Sequence, residues 1–474
     1  MPLESGSGAP QQRLTAMHLV GLTFFAVCGG DYGIEDAVGA AGPMYTLLGL
    51  LVVPWVWSLP IALMTAELGS MIPDMGGPVV WVDRAFGPMV AHNNAIVHLV
   101  ANFFDNALYP VMFADYLREF HPALRLDGLP RLTLEFTLLL GVTLLNIAGV
   151  DAVANISTLF TVLVVSPFAA LVVAGLPTLD PSAWLIGPPL EAPGDGGDMS
   201  GAVGSETSGE IGSGHVRWGV FLSVLLWNTS GYDSVGALAA EVENPGRDFP
   251  RAMVYSIILI SLVYVLPVGV GVSLDSRAML ATWTDGSLAR VAHDYVGEWL
   301  AQWISLGGAL SAFGLLNTLL CAAARIVVSS AEIGVLPAFL AKVDDRSGAP
   351  VAATLALSVG LLGTLSLPFA QLVEFSMLFY GATTALEFFA LVRLRSLEPS
   401  TPRPYRLPLD SGAALIAFCA PPVALCGLLI IVAERVSLLI FCATLAFASL
   451  AYCARGEVAA HRPSRARPAA VLLL

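Results

Sequence analysis

Residues 18–38, MHLVGLTFFAVCGGDYGIEDA, make an apolar run broken in its middle by Gly29, Gly30 and Gly33, with Asp31, Glu35 and Asp36 at and just past the break. A helix needs about 20 predominantly apolar residues to cross a bilayer, and this run has that length. A charge near the bilayer centre costs about 2.5–3.5 kcal/mol even on insertion scales, so acids at this depth imply a cation or a proton as partner. Backbone leaves helical geometry at membrane depth only where protein or a water-filled cavity satisfies the freed groups. The glycine break therefore implies a cavity near mid-membrane, and a cavity with acids beside it implies a pathway for a solute.

The rest of the chain agrees with an integral membrane protein. Only 12% of its 474 residues are charged and the mean hydropathy is +0.76, where a soluble domain carries about 25% charged residues. Apolar stretches suited to spanning lie near 18–38, 44–68, 90–117, 132–150, 156–176, 217–240, 253–273, 297–325, 351–369, 371–392, 413–433 and 436–454. They predict an all-α membrane protein of about 12 transmembrane helices. Most Lys and Arg residues, among them Arg13, Arg84, Arg247, Arg325, Lys342, Arg395 and Arg455, fall on the side that carries both termini. The positive-inside rule makes that side cytoplasmic. The plasma membrane is the expected location, with an internal membrane as the alternative.

Span 217–240, RWGVFLSVLLWNTSGYDSVGALAA, repeats the logic of the first: an apolar half, then Asn228, Ser230, Gly231, Tyr232, Asp233 and Gly236. Interrupted helices at matching positions of two halves point to an inverted-repeat transporter with its site at the midplane. The expected organisation is a cytoplasmic arm over 1–17, a first repeat of five spans over 18–176 and an extracytoplasmic loop over 177–216. A second repeat over 217–395, two further spans over 396–454 and a cytoplasmic tail over 455–474 complete it.

Within that frame several stretches resemble the amino acid–polyamine–organocation superfamily. They are Ala66-Glu67-Leu68 with Ile72-Pro73-Asp74-Met75-Gly76-Gly77-Pro78 and Trp81, and Gly231-Tyr232-Asp233 with Glu241-Val242-Glu243-Asn244-Pro245. More narrowly, Gly33-Ile34-Glu35-Asp36, Trp57-Ser58-Leu59-Pro60, Phe104-Asp105-Asn106-Ala107-Leu108-Tyr109-Pro110, Trp227-Asn228 and Leu386-Glu387-Phe388 resemble the polyamine uptake transporters. The resemblance implies a five-plus-five inverted repeat with broken first and sixth helices, and secondary transport of putrescine, spermidine and related dications. Asp31, Tyr232 and the long outer loop depart from the pattern.

The residues themselves point to a cationic ligand. His98, Asn102, Asp105 and Tyr109 recur at steps of four, three and four, which puts them on one helical face. Trp227, Tyr232 and Phe313 offer π faces to an alkylammonium, and Asn317 lies one turn along from Phe313. Tyr380, Thr384 and Glu387 share a face of the tenth span, with Glu374 nearer its outer end. Two separated ammonium groups require two acidic poles with an aromatic waist between them. Glu35, Asp36 and Asp105 are candidates for one pole, and Gly29, Gly30, Asp31, Gly33, Tyr109 and Asn228 are further candidates for substrate binding. Asp233, Glu374 or Glu387 are candidates for the other pole. Glu35, Glu241, Glu374 and Glu387 are the candidates for proton coupling or gating, Glu387 having Arg393 or Arg395 as alternative partners.

Other functions find no footing. The six cysteines show no ligand-like spacing, so neither a metal site nor a disulfide framework is expected, and no cofactor is. The net charge of −14 gives no support for nucleic-acid binding. There is no P-loop and no nucleophile motif, so an enzyme is not expected, and the drive is expected to be a proton gradient or the membrane potential. The alternative within transport is a cationic or neutral amino-acid carrier. The sequence leaves the oligomeric state open.

Overall fold

The computed structural model describes residues 14–120, 126–187, 216–364, 369–433 and 435–456. The N-terminal arm up to residue 13, most of the 177–216 loop and the tail beyond 456 lie outside the described residues. What is described is almost entirely helical, and its only β-type pairing is a bridge between Leu14 and Val242.

The first span is α1 (Ala16–Val27), a non-helical stretch, and the start of α2 (Glu35–Val53). Gly29, Gly30 and Gly33 all take positive φ, at 59°, 120° and 81°, a region closed to most L side chains. Gly42, at φ 83° and followed by Pro43, interrupts α2 and begins the second span. That span runs through a π turn at Pro54–Ser58 into α3 (Leu59–Met71). After α4 (Gly77–Phe86) come three long helices, α5 (Pro88–Phe120), α6 (Leu129–Ala148) and α7 (Val150–Gly175).

The sixth span repeats the break. α8 (Trp218–Trp227) ends, the chain turns through Gly231 at φ 101°, and it resumes as a 3-10 segment over Ser234–Glu241. A Cβ on Gly231 would lie 2.2 Å from the Ala26 carbonyl oxygen, so here the two broken spans meet backbone to backbone. The rest follows as α9 (Pro245–Leu274), α10 (Ser287–Tyr295), α11 (Glu298–Glu332), α12 (Val351–Leu361), α13 (Phe369–Leu397), α14 (Gly412–Val432) and α15 (Arg435–Gly456).

Nine helical stretches among the described residues are long and apolar enough to cross a membrane, and α1, α8 and α12 are shorter apolar helices. Together they give the twelve-span, five-plus-five architecture with broken first and sixth helices. Observed ends extend past the hydropathy boundaries where first turns are polar: α9 starts at Pro245 and carries Arg247, Asp248 and Arg251 before its apolar run. α10, too short and too polar to read as a span, was not visible in the hydropathy. α11 is the central post, 94% of its apolar window being buried, and it packs on α5, α7 and α1. α15, at 11%, is peripheral. All six cysteines are unbridged.

Candidate functional site

A cavity of about 50 Å³ lies where the two breaks meet α5, α11 and α13. That is room for a few water molecules and not for an extended diamine, so the site is collapsed in this conformation. The stripe of α5 forms one wall: His98, Asn102, Asp105 and Tyr109 all line it, as the four-three-four spacing predicts. The breaks supply Cys28, Tyr32, Trp227, Asn228, Ser230 and Gly231, and α13 supplies Ser376 and Tyr380. Among the lining residues Asp105 is the one carboxylate, and there is no Lys or Arg. The Tyr109 hydroxyl donates to its Oδ2 at 3.0 Å, and that of Ser376 to its Oδ1 at 3.4 Å. The Trp227 side chain donates to it as well.

Side chains of neighbouring spans satisfy carbonyls freed at the second break, as buried polar groups require. Tyr264 donates to the Asn228 carbonyl at 3.0 Å, and the Ser58 hydroxyl to that of Thr229 at 2.9 Å. Trp57 donates to the Ser230 hydroxyl at 3.0 Å. These bonds hold Asn228 and Ser230 at the cavity wall.

Other acids lie behind the wall. Tyr380 donates to Asp233 Oδ1 at 2.5 Å while its oxygen accepts from the Gly231 N–H at 3.0 Å. Asp233 and Glu387 are both 0% exposed, and Asp31 is 1% exposed. Neither oxygen of Glu387, neither of Asp31, and not Oδ2 of Asp233 meets a hydrogen-bond donor. The alternative pairing of Glu387 with Arg393 or Arg395 is not formed: Arg395 goes to Glu67, and Arg393 donates to the Ala85 carbonyl and lies over the Phe86 ring.

Glu35 does not line this cavity; it lines a second one, of about 220 Å³, with Tyr32, Tyr116 and Arg290. Its Oε1 accepts from Leu288 N–H at 2.7 Å and its Oε2 from Gly286 N–H at 3.1 Å. These are N–H groups at the start of α10, where a helix favours a carboxylate. Asp285 Oδ1 accepts from Tyr116 at 2.6 Å and from Gly33 N–H at 3.3 Å. The broken first span is thus tied to the loop helix α10. Asp36, half-buried, lies beside the same loop.

The opposite end is shut by ions. Arg325 on α11, 2% exposed, meets Glu241 through Nε at 2.5 Å and Nη2 at 3.1 Å. Glu67 on α3 gathers Arg395 at 2.5 Å, Arg403 at 3.4 Å and the Leu407 N–H at 2.8 Å. Arg84 meets Glu398 at 2.6 Å, and that guanidinium holds the Glu398 carboxyl below the usual carboxylate range.

Besides Asp31, Glu35, Asp36 and Asp233, the expected ligands Gly29, Gly30, Gly33, Tyr232, Phe313 and Asn317 do not line the central cavity. Phe313 packs on Phe160 with ring centroids 5.4 Å apart. Asn317 accepts from the Asn146 side chain at 3.1 Å, donates to the Val153 carbonyl at 3.5 Å and so joins α11 to α6 and α7. Tyr232 is 1% exposed within the core. The Glu374 side chain lies outside the described residues. Ser376, Met112 and Cys28 line the cavity without having been singled out. Ser376 lies one helical turn before Tyr380, so extending the α13 face by four residues would have found it.

A family model described as amino acid permease matches residues 14–452. The chain is 34% identical over 428 residues, 90% of its length and 81% of the relative's, to a probable polyamine transporter At1g31830 of Arabidopsis thaliana. It is 36% identical over 427 residues, 89% of its length and 75% of the relative's, to the polyamine transporter PUT1 of Oryza sativa subsp. japonica. It is 24% identical over 440 residues, 88% of each chain, to the branched-chain amino acid permease BcaP of Bacillus subtilis. With broken first and sixth helices meeting at a central cavity, and a family match over nearly its whole length, the chain belongs to the amino acid permease family of the amino acid–polyamine–organocation superfamily.

Proposed function

We propose that this protein is a secondary transporter of polyamines, carrying putrescine- or spermidine-like dications across the plasma membrane by alternating access, with both termini in the cytoplasm. The observation that carries the reading is the composition of the central cavity: a single carboxylate, Asp105, an aromatic surround of Trp227, Tyr109, Tyr32 and Tyr380, and no basic side chain except His98. Such a wall favours an ammonium and opposes a carboxylate. The names of the plant relatives support the same substrate class. Alternating access requires each end to open in turn, the outer one by release of Glu35 from α10 and the inner one by separation of Arg325 from Glu241. A dication drawn towards a negative interior gains about 2.3 kcal/mol per charge per 100 mV, so potential alone is enough to drive uptake. A proton is the candidate co-substrate.

Reconstituted protein should take up labelled putrescine, and unlabelled spermidine should compete at concentrations at least about tenfold below those at which leucine does. Equal competition by leucine would favour the amino-acid reading that the Bacillus relative's name suggests. The aromatic wall makes a second expectation. Trp227→Ala removes a cation–π contact worth about 2 kcal/mol when desolvated, so the dissociation constants of several polyamines should rise together by about tenfold or more. Trp227→Phe should retain much of the affinity, because a π face attracts an ammonium without reading chain length. Equal loss in both variants, measured by binding to purified protein, would make Trp227 a steric or gating residue.

A further inference from the structure

We propose that Asp233 and Glu387 form a proton-binding pair behind the substrate cavity, and that its occupancy decides whether the cytoplasmic gate can stay closed. The inference rests on the transport reading and adds a site to it. Asp233 heads the 3-10 segment Ser234–Glu241, whose far end is latched to Arg325. Glu387 lies on α13, two turns beyond Tyr380. Both carboxyls are 0% exposed, and three of their four oxygens meet no donor. The fourth, Asp233 Oδ1, is held by Tyr380, which itself lines the cavity.

The groups facing the pair supply no compensating charge. Each carboxyl lies within electrostatic reach of the other, with Tyr380 between cavity and pair. From α14 comes the Cys426 thiol, and from α5 Asp105, which is a third acid. Glu67 on α3 and Glu241 at the end of the 3-10 segment are occupied by Arg395, Arg403 and Arg325. Among the described residues no Lys or Arg is paired with Asp233 or Glu387.

Buried carboxylates without donors or counter-charge keep their full desolvation cost and repel one another. A proton removes both costs. A substrate ammonium is not placed to do so, because neither carboxyl lines the cavity and Tyr380 closes the way. The closed gate is therefore the protonated one. When the gate opens, water reaches the pair, the proton leaves to the cytoplasmic side, and the hydrated carboxylates oppose closure until a proton returns. Acid on the cytoplasmic side favours the closed gate, and alkali the open one.

The test has two arms. In purified, substrate-free parent protein at neutral pH, infrared difference spectroscopy should show a protonated-carboxyl stretch that Glu387→Gln removes. In proteoliposomes oriented with the cytoplasmic side inwards and clamped in potential, parent transport should change with internal pH by up to about tenfold per unit, the limit for one titrating group. Glu387→Gln should flatten that profile while binding putrescine within about twofold of the parent, and Asp233→Asn should do the same if Glu387→Gln does not fold. Absence of the infrared band in the parent would overturn the proposal, as would a parental pH profile in both variants. A fall in putrescine affinity as large as that of Asp105→Asn would make Glu387 a substrate ligand and equally overturn it. A parent that binds no putrescine would remove the transport reading instead, and the infrared arm would still decide the pair.

Discussion

Asp105→Asn is expected to weaken binding of putrescine and spermidine by about 1–3 kcal/mol, the scale of a lost charge-assisted hydrogen bond, which is roughly a five- to 150-fold rise in dissociation constant. The fold should survive. Asparagine has the same shape, its carbonyl oxygen still accepts from Tyr109 or Ser376, and both hydroxyls are free to rotate towards another acceptor. What is lost is the one carboxylate that lines the cavity. The thermal midpoint should stay close to the parent's while the binding isotherm moves, and uptake at low substrate should fall with affinity. Asp31→Asn is the control: Asp31 is more deeply buried than Asp105, at 1% exposure, but does not line the cavity, so its removal should leave polyamine affinity nearly unchanged. A parental isotherm for Asp105→Asn would assign Asp105 to packing and leave the cavity with no charged ligand.

The contrast between these two acids marks what the sequence made legible. The α5 stripe was readable because helix geometry alone brings His98, Asn102, Asp105 and Tyr109 to one face, and a polar face inside a membrane span has to look inwards. The two breaks were readable because glycine clusters are the local condition for positive φ. Side-chain partners far along the chain were not. Glu35 looks like a substrate ligand in sequence because it follows a helix break, yet its donors are the N–H groups of Gly286 and Leu288 in a loop that hydropathy passes over. Asn317 and Phe313 sit on the right helix at plausible positions, but α11 is buried nearly all round. No periodicity separates its cavity face from the faces that meet Asn146 and Phe160. The same limit hid the fate of the arginines: proximity along α13 suggests Arg395 for Glu387, whereas the fold delivers it to Glu67 on α3.

Breaking the Arg325–Glu241 pair should have the largest effect on stability of any single substitution at the gates. Arg325 is 2% exposed and makes a two-point contact with Glu241, while its Nη1 donates to the Cys321 carbonyl at 2.9 Å. Removing one partner leaves a buried, uncompensated charge, which costs about 3–5 kcal/mol, whereas replacing both with apolar groups of similar volume is often neutral or stabilising. Glu241→Leu alone should therefore lower the unfolding midpoint sharply, and Arg325→Met with Glu241→Leu should restore it. Transport should not follow stability. An ion pair is able to part when the gate opens, because water solvates each ion separately. An apolar pair loses its burial on opening and gains nothing, so the double variant should be stable, should bind putrescine, and should release it slowly towards the cytoplasm. Leu14 adds to the same closure, its N–H donating to the Glu241 carbonyl at 2.9 Å and its carbonyl accepting from Glu243 at 3.2 Å, so Glu241 is held through both side chain and backbone. Counterflow by the double variant, compared with its binding affinity and melting midpoint, separates the two roles. A stable double variant that exchanges putrescine at the parental rate would make Arg325–Glu241 an anchor of the bundle and move the gate to the Glu67–Arg395–Arg403 cluster.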